Sequence, residues 1–247
     1  MSPEQTALLA AIVAVAFLIE AAAGFGSMVV ALTIGALFFP IPSLLGWLLP
    51  VNLVLSAYLM ARGRRHLDWK FLLSSVVPLM TVGLGVGILL ARSTDTGWMK
   101  PVFAFFVVAV ALHQLLASTA LKPLSRPVAS LALFAGGVIH GVFATGGPLA
   151  VFVSARTLPD KSAFRATLAA VWVVLNLLLL PRLWLDGSLS LSTLPLSALL
   201  LVPLGLGIVA GEWVHHRLDE ARFRKVVAVL LLGAGGTLLF TSLKGGG

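Results

Sequence analysis

The chain contains no cysteine and little charge. Without cysteine it can form neither a disulfide nor a thiolate metal site. Only 11% of its 247 residues are charged, whereas 59% are hydrophobic, and the mean hydropathy is +1.06. A water-soluble core does not need so much apolar surface, so the solvent around most of the chain is lipid. The composition therefore predicts an integral membrane protein of one domain, without a linker or low-complexity region.

Motifs of enzymes and of ATP-driven pumps are absent as well. There is no Gly-rich phosphate loop ending in Lys and Ser or Thr, no Gly-x-Ser-x-Gly and no His-Glu-x-x-His. We therefore expect neither ATP hydrolysis nor enzymatic catalysis, and no cofactor or bound metal. No basic stretch precedes the first apolar run, so we expect that run to be retained rather than removed as a signal peptide.

Ten apolar segments can be delimited between polar or helix-breaking residues. A membrane-spanning helix needs about 20 residues, so the second and seventh segments are too short to cross. Each of these two follows a glycine-rich break, which predicts a re-entrant hairpin or a broken helix covered by protein or water. The segments are 5–23, 28–39, 43–61, 70–91, 99–120, 127–144, 148–157, 163–181, 190–211 and 223–242.

The distribution of lysine and arginine indicates the orientation. If the chain changes side at each segment, 13 of the 17 basic residues fall in loops 62–70, 121–127, 156–165 and 212–225 on one side, and 4 fall on the other. Basic loops stay in the cytoplasm, so both termini are predicted outside it. The net charge of +8 then reflects these loops and an anionic substrate, and nucleic acid is not an expected partner.

Features of the first half recur in the second at a nearly constant spacing. Asn52 recurs as Asn176, 124 residues later, and a Pro-Leu pair followed by spaced glycines occurs at 78 and again at 203. Each half has five segments, an odd number, so the second half enters from the opposite side. The predicted fold is an all-α, polytopic transmembrane helical bundle with two inverted-topology halves, 1–122 and 123–247. Each half opens with a broken or re-entrant helical hairpin.

The two breaks are the predicted substrate site. A helix that begins at mid-membrane points free N–H donors and about half a positive charge at the centre. The hydroxyl of Ser27 suits an N-cap or a ligand contact, and glycines allow backbone amides to approach a ligand closely. The alternative is that the glycines only permit tight helix packing. The residues assigned to substrate binding at the breaks are Gly24, Phe25, Gly26, Ser27, Thr145, Gly146, Gly147 and Pro148.

Four polar residues inside apolar segments complete the candidate site. Asn52 and Asn176 could donate to an oxyanion without adding charge, or could form interhelical hydrogen bonds worth about 1 kcal/mol. Glu20 precedes the first break and His140 the second, and ionisable residues within a membrane are functional candidates by default. A protonated Glu20 would not repel an anion, so it could couple proton movement to anion movement. His140 could do so near neutral pH, or could be a neutral, hydrogen-bonded core residue.

Other candidates have simpler structural interpretations. Arg165 could attract anions on the cytoplasmic side, but an anchor under the positive-inside rule explains it as well. Two glycine clusters, at 83, 85 and 87 and at 205, 207 and 211, have no break and are predicted to pack helices.

The two glycine-rich breaks, Gly24 to Ser27 and Gly146 to Pro148, each precede a short apolar arm. In these features and in its two-half pattern the chain resembles, over nearly its whole length, the sulfite exporter TauE/SafE family of bacterial inner-membrane permeases. That family is linked to export or uptake of small sulfur oxyanions and organosulfonates such as sulfite, thiosulfate and sulfoacetate. The resemblance implies a multi-pass carrier of small anions in the bacterial inner membrane.

The predicted function is secondary transport of a small anion of this class, coupled to protons through Glu20 or His140. The expected partners are the anion, the lipid bilayer, protons and a second copy of the chain in a homodimer. The alternative functions are a passive anion channel and a membrane subunit without transport activity of its own. The sequence assigns neither the anion nor the direction of transport.

Overall fold

A computed structural model describes residues 2–92, 97–116, 123–158, 160–215 and 220–244. In these ranges the regular structure is helical, as predicted, and each of the ten predicted segments corresponds to one helix, of which the ninth is interrupted at Leu200. A single turn of 3₁₀-helix follows the third helix at Arg64–His66. The helices are α1 (Pro3–Ala23), α2 (Ser27–Gly35), α3 (Ile41–Gly63), α4 (Trp69–Leu90), α5 (Met99–Leu116), α6 (Arg126–Phe143), α7 (Gly147–Ser154), α8 (Lys161–Leu185), α9 (Leu194–Leu199 and Leu201–His215) and α10 (Glu220–Lys244).

Eight of these helices are long and apolar enough to cross a membrane. The exceptions are α2 and α7, with 9 and 8 residues. At 1.5 Å per residue they are roughly 13 Å long, less than half of the hydrocarbon core. The described part of the chain is therefore a multi-pass membrane protein with two short helices, one in each half.

The helices form an inner and an outer group. In α3 and α8, 56% and 61% of the most apolar stretch is buried inside the protein, against only 22% in α10. The outer surface presents large apolar side chains such as Phe105, Val209 and Phe240. These side chains face lipid, so the bundle is apolar on its outside and keeps its few polar residues within.

Helix contacts between the halves are reciprocal. The third helix of each half packs against its counterpart, α3 on α8, and so does the fifth, α5 on α10. The first helix of each half packs against the fourth helix of the other half, α1 on α9 and α6 on α4. The two halves therefore interlock over most of their length.

The glycine clusters explain two of these contacts. A Cβ at Gly83 or Gly87 of α4 would overlap backbone atoms of α6, and one at Gly207 or Gly211 of α9 would lie 3.0 Å or less from backbone atoms of α1. Small residues let helix backbones approach in a membrane. The predicted packing role is confirmed at these four positions. It is wrong at Gly85 and Gly205, the remaining position of each cluster, because both have open space where a side chain would be.

The sequence placed the end of α8 four residues too early. Pro181 lies inside the helix, and Arg182 extends from it to donate to the Gly141 carbonyl at 2.8 Å and to pair with Asp186 at 3.2 Å. The charge of Arg182 is thus paired within the bundle, so the helix continues past this residue. The predicted boundary between halves at 122 and 123 borders residues 117–122, which lie outside the described ranges.

Candidate functional site

The first break is shaped by two glycines in the left-handed region. α1 ends at Gly24 with φ 85°, and Gly26 with φ 107° precedes α2. The interpretation of Ser27 as the N-cap is wrong, because Gly26 holds that position and Ser27 is the first residue of the helix. The amide of Ser27 donates to the Glu20 carboxylate at 3.2 Å, and its hydroxyl donates to the same oxygen. The carboxylate of Glu20 is therefore the anion at the positive end of α2.

The second break also begins with a left-handed residue, but its backbone then differs, because Gly146 has φ −61° where Gly26 has φ 107°. α6 ends at Ala144, which is left-handed with φ 54°, the position that Gly24 takes in the first break. The sequence had placed this break at the glycine pair. Gly146 precedes α7, and no side chain caps that helix. Gly146 serves packing, since a Cβ there would overlap the carbonyl oxygen of Gly136.

A continuous chain of hydrogen bonds joins the two breaks. Asn52 Nδ2 donates to both Glu20 oxygens at 3.2 and 3.1 Å and contacts the Ser27 hydroxyl at 2.9 Å. Asn176 Nδ2 donates to Asn52 Oδ1 at 2.7 Å, and His140 Nε2 lies 3.1 Å from Asn176 Oδ1. Because that oxygen is an acceptor, His140 Nε2 is the donor. Every donor in this chain points towards Glu20.

These five residues are buried and lie level with the middle of the inner helices. Each side chain is 3% exposed or less. Asn52 is the central residue of α3, and Asn176 is near the centre of α8. The structure thus brings together Glu20, Ser27, Asn52, His140 and Asn176, which the sequence had placed on four different segments and in the first break.

A cavity of about 270 Å³ lies beside this chain. Glu20, Asn52 and His140 line it together with Thr145 and Gly147. The Thr145 hydroxyl and His140 Nδ1 are buried, and neither has a hydrogen-bond partner among the described residues. A Cβ at Gly147 would make only ordinary contact with Trp172, at 3.8 Å. The cavity therefore offers polar groups of the second break that the protein itself does not use.

Trp172 is a cavity residue that the sequence analysis missed. Its ring stacks on His140, with centroids 6.0 Å apart and planes at 10°. It stands one helical turn before Asn176 on α8, so it lies on the same face of the helix. That i, i+4 spacing from a polar residue inside an apolar helix is the signal that could have identified it.

A second pocket, of about 420 Å³, adjoins the first and shares Gly26 and Val29 with it. Its lining is apolar except for Gln114 and reaches the outer helices through Val110 and Leu231. The predicted binding residues Phe25 and Pro148 lie here rather than in the polar cavity. Gly24 lies in neither and packs on Arg165 of α8.

Eight apolar helices around a buried polar centre, with two short helices that begin beside it, are typical of membrane transporters. The family model for the sulfite exporter TauE/SafE matches residues 8–238, and the chain belongs to that family of membrane transporters. The probable inner membrane transporter protein TsaS of Comamonas testosteroni is 25% identical over 176 residues, which are 69% of this chain and 72% of the relative. No solved structure matches the chain significantly.

Proposed function

We propose that the protein carries small anions, sulfur oxyanions or organosulfonates, across a bacterial inner membrane as a secondary transporter. Family membership and the description of the relative as an inner membrane transporter support the class and the location. The observation that carries the proposal is the hydrogen-bonded chain from Glu20 to His140. A buried ionisable pair linked between two helix breaks is typical of a substrate pathway in a membrane.

The proposed architecture is an inverted repeat with both termini outside the cytoplasm. The reciprocal packing of α3 on α8, α5 on α10, α1 on α9 and α6 on α4 supports a two-fold relation between the halves. Glu20 and Ser27 of the first break bond to Asn52 at the middle of α3. This depth supports re-entrant hairpins that meet at mid-membrane. Alternating access then consists of rocking one half against the other, and the 2.7 Å bond between Asn52 and Asn176 is the polar contact that such movement changes.

In this proposal the substrate anion binds at the start of α7. The N-terminus of that helix has no side-chain cap, and the Thr145 hydroxyl and His140 Nδ1 lie beside it without partners in the described chain. The backbone amides of α7 and the Thr145 hydroxyl can donate to an oxyanion. His140 Nδ1 is an acceptor while Nε2 alone carries the proton, so it donates to the anion only when the ring is protonated. The equivalent place at α2 is held by Glu20.

A proton accompanies the anion. An anion that binds beside the Glu20 carboxylate places two negative charges in one buried cavity, which is strongly unfavourable. Protonation of Glu20 removes this repulsion. The other ionisable groups nearest to Glu20 are His140, reached through the two asparagines, and Arg165, which packs on Gly24. One proton is therefore expected to move with each monovalent anion, in the same direction.

The adjoining apolar pocket favours anions that carry hydrocarbon. It begins at Gly26 and Val29, which also line the polar cavity, so a sulfonate group in the cavity can direct an alkyl chain into it. Each buried methylene contributes about 0.8 kcal/mol, or roughly fourfold in affinity. We expect butanesulfonate to bind more tightly than methanesulfonate, and methanesulfonate more tightly than sulfite.

Flux in proteoliposomes tests the proposal. We expect labelled methanesulfonate to accumulate when the outside is acidic, to saturate with concentration, and to be insensitive to a potassium diffusion potential, because proton and anion cancel in charge. Flux that does not saturate and follows the voltage would identify a passive channel. No flux with any of the three anions would leave the family's transport activity unsupported for this chain.

A further inference from the structure

Arg165 is a cation that packs directly on the first break. It stands in the second turn of α8, and its side chain is partly buried. Its Nε and Nη2 atoms are both buried and have no hydrogen-bond partner in the described ranges. These two nitrogens form one edge of the guanidinium fork, the edge that binds carboxylates and other oxyanions side-on. Leaving such donors unpaired is costly, so their placement requires an explanation other than anchoring.

The arginine is fixed against the break itself. A Cβ at Gly24 would lie 3.0 Å from Cγ and 3.2 Å from Cα and Cβ of Arg165. The neighbouring residue, Phe164, makes an edge-to-face contact with Phe25, with ring centroids 6.3 Å apart. Gly24 and Phe25 belong to the turn that connects Glu20 to α2. A ligand on Arg165 is therefore one residue layer away from the central site.

The acidic group that interacts electrostatically with Arg165, Glu212, is already engaged by other residues. Glu212 accepts a hydrogen bond from the Tyr58 hydroxyl at 3.1 Å and lies 3.9 Å from Arg62 Nε. Arg62 in turn donates to the Tyr58 oxygen at 3.1 Å. Arg165 is within electrostatic reach of this cluster but makes no hydrogen bond to it. The Nε and Nη2 donors of Arg165 are thus available to bind a mobile anion.

We propose that Arg165 forms a second, transient anion site between the central cavity and the membrane face where α3 ends and α8 begins. The site takes a sulfonate or another oxyanion through two parallel hydrogen bonds and passes it to the cavity when the halves move. This inference rests on the proposed transport function. In this proposal Gly24 and Phe25, which lie outside the polar cavity, line the path by which the anion reaches that cavity.

The test compares Arg165→Met, Arg165→Lys and Arg65→Met in oriented proteoliposomes with methanesulfonate as the probe. Arg65 is an exposed arginine of the 3₁₀ turn after α3, so it controls for loss of one positive charge in the segment that follows α3. With substrate supplied from that face, we expect Arg165→Met to raise the half-saturating concentration about tenfold. Arg165→Lys, which keeps the charge but not the fork, should raise it about threefold, and Arg65→Met less than twofold.

The outcomes separate this inference from the proposed function. Equal kinetics in wild type and Arg165→Met, or equal losses in Arg165→Met and Arg65→Met, overturn the second site and leave the carrier intact. If Arg165→Met does not fold, an unchanged half-saturation in Arg165→Lys has the same consequence. A wild-type protein without saturable flux overturns both.

Discussion

The two helix breaks begin in the same way and differ in chemistry. In both, the first helix ends at a left-handed residue whose backbone amide donates to the carbonyl four residues earlier. Gly24 donates to Glu20 in the first break, and Ala144 donates to His140 in the second. The first break turns a carboxylate towards the next helix, whereas the second turns an imidazole towards an asparagine. The corresponding residues, each pair 120 positions apart, are Glu20 and His140, Gly24 and Ala144, Phe25 and Thr145, Gly26 and Gly146, and Ser27 and Gly147.

This difference assigns separate roles to the halves. The positive end of α2 is satisfied internally by Glu20, so the first half holds its own anion. The positive end of α7 has no side-chain acceptor, and the Thr145 hydroxyl beside it has no partner among the described residues. In the proposed cycle the first half therefore binds the proton and the second half binds the substrate, although both breaks begin with a left-handed residue.

The largest expected effect comes from filling the second break. Gly147→Leu should abolish transport and leave the protein folded, because the first side-chain atom has room at 3.8 Å from Trp172 and the remainder occupies the anion's place. The measurement is methanesulfonate flux together with the elution profile in detergent. Flux within twofold of wild type would remove the start of α7 from the site.

Gly146→Ala is the matched control for that substitution. The neighbouring glycine faces the carbonyl of Gly136, with which a Cβ would overlap, so even a methyl group should lower the thermal midpoint. Loss of folding at one glycine and loss of transport alone at the next would separate the packing and binding interpretations of this pair.

The second prediction exchanges the two ionisable residues for neutral ones of similar size. Anion uptake by the wild type should fall as pH rises, because the protonated fraction of Glu20 falls. Glu20→Gln should flatten this profile, since the glutamine is neutral at every pH and still bonds to Asn52. His140→Gln should raise the half-saturating concentration and keep the slope. Initial uptake rates from pH 5 to 8 measure both, and an unaltered slope in Glu20→Gln would exclude Glu20 as the proton carrier.

Much of the fold could be predicted because lipid imposes simple rules on a sequence. Apolar runs gave ten segments, and glycine pairs and spaced glycines gave two breaks and two packing faces. Asn52, Asn176, Glu20 and His140 stood out because polar side chains inside apolar segments are costly. These inferences depend only on the local sequence. They are correct where the structure at a position does not depend on a neighbour from another segment.

What the sequence could not give depends on which segments meet. Ser27 has the chemistry of an N-cap, but its partner Glu20 lies seven residues earlier and is brought back by the turn. Arg165 follows a charged loop, as an anchor would, and only its contact with Gly24 shows that it faces inwards. Ala144 escaped notice because alanine seldom takes a positive φ. In each case the role of the residue depends on a contact with another element or on an unexpected turn.

The smallest expected effect concerns that alanine and its counterpart. Ala144→Gly relieves a left-handed strain of about 1 kcal/mol but removes a buried methyl worth about 0.8 kcal/mol, so the free energy of unfolding should change by less than about 1 kcal/mol. Gly24→Ala adds the same strain and also presses on Arg165, so it should lower the thermal midpoint clearly. Paired thermal unfolding in detergent measures both variants. Equal effects would mean that the left-handed residues of the two breaks are held alike.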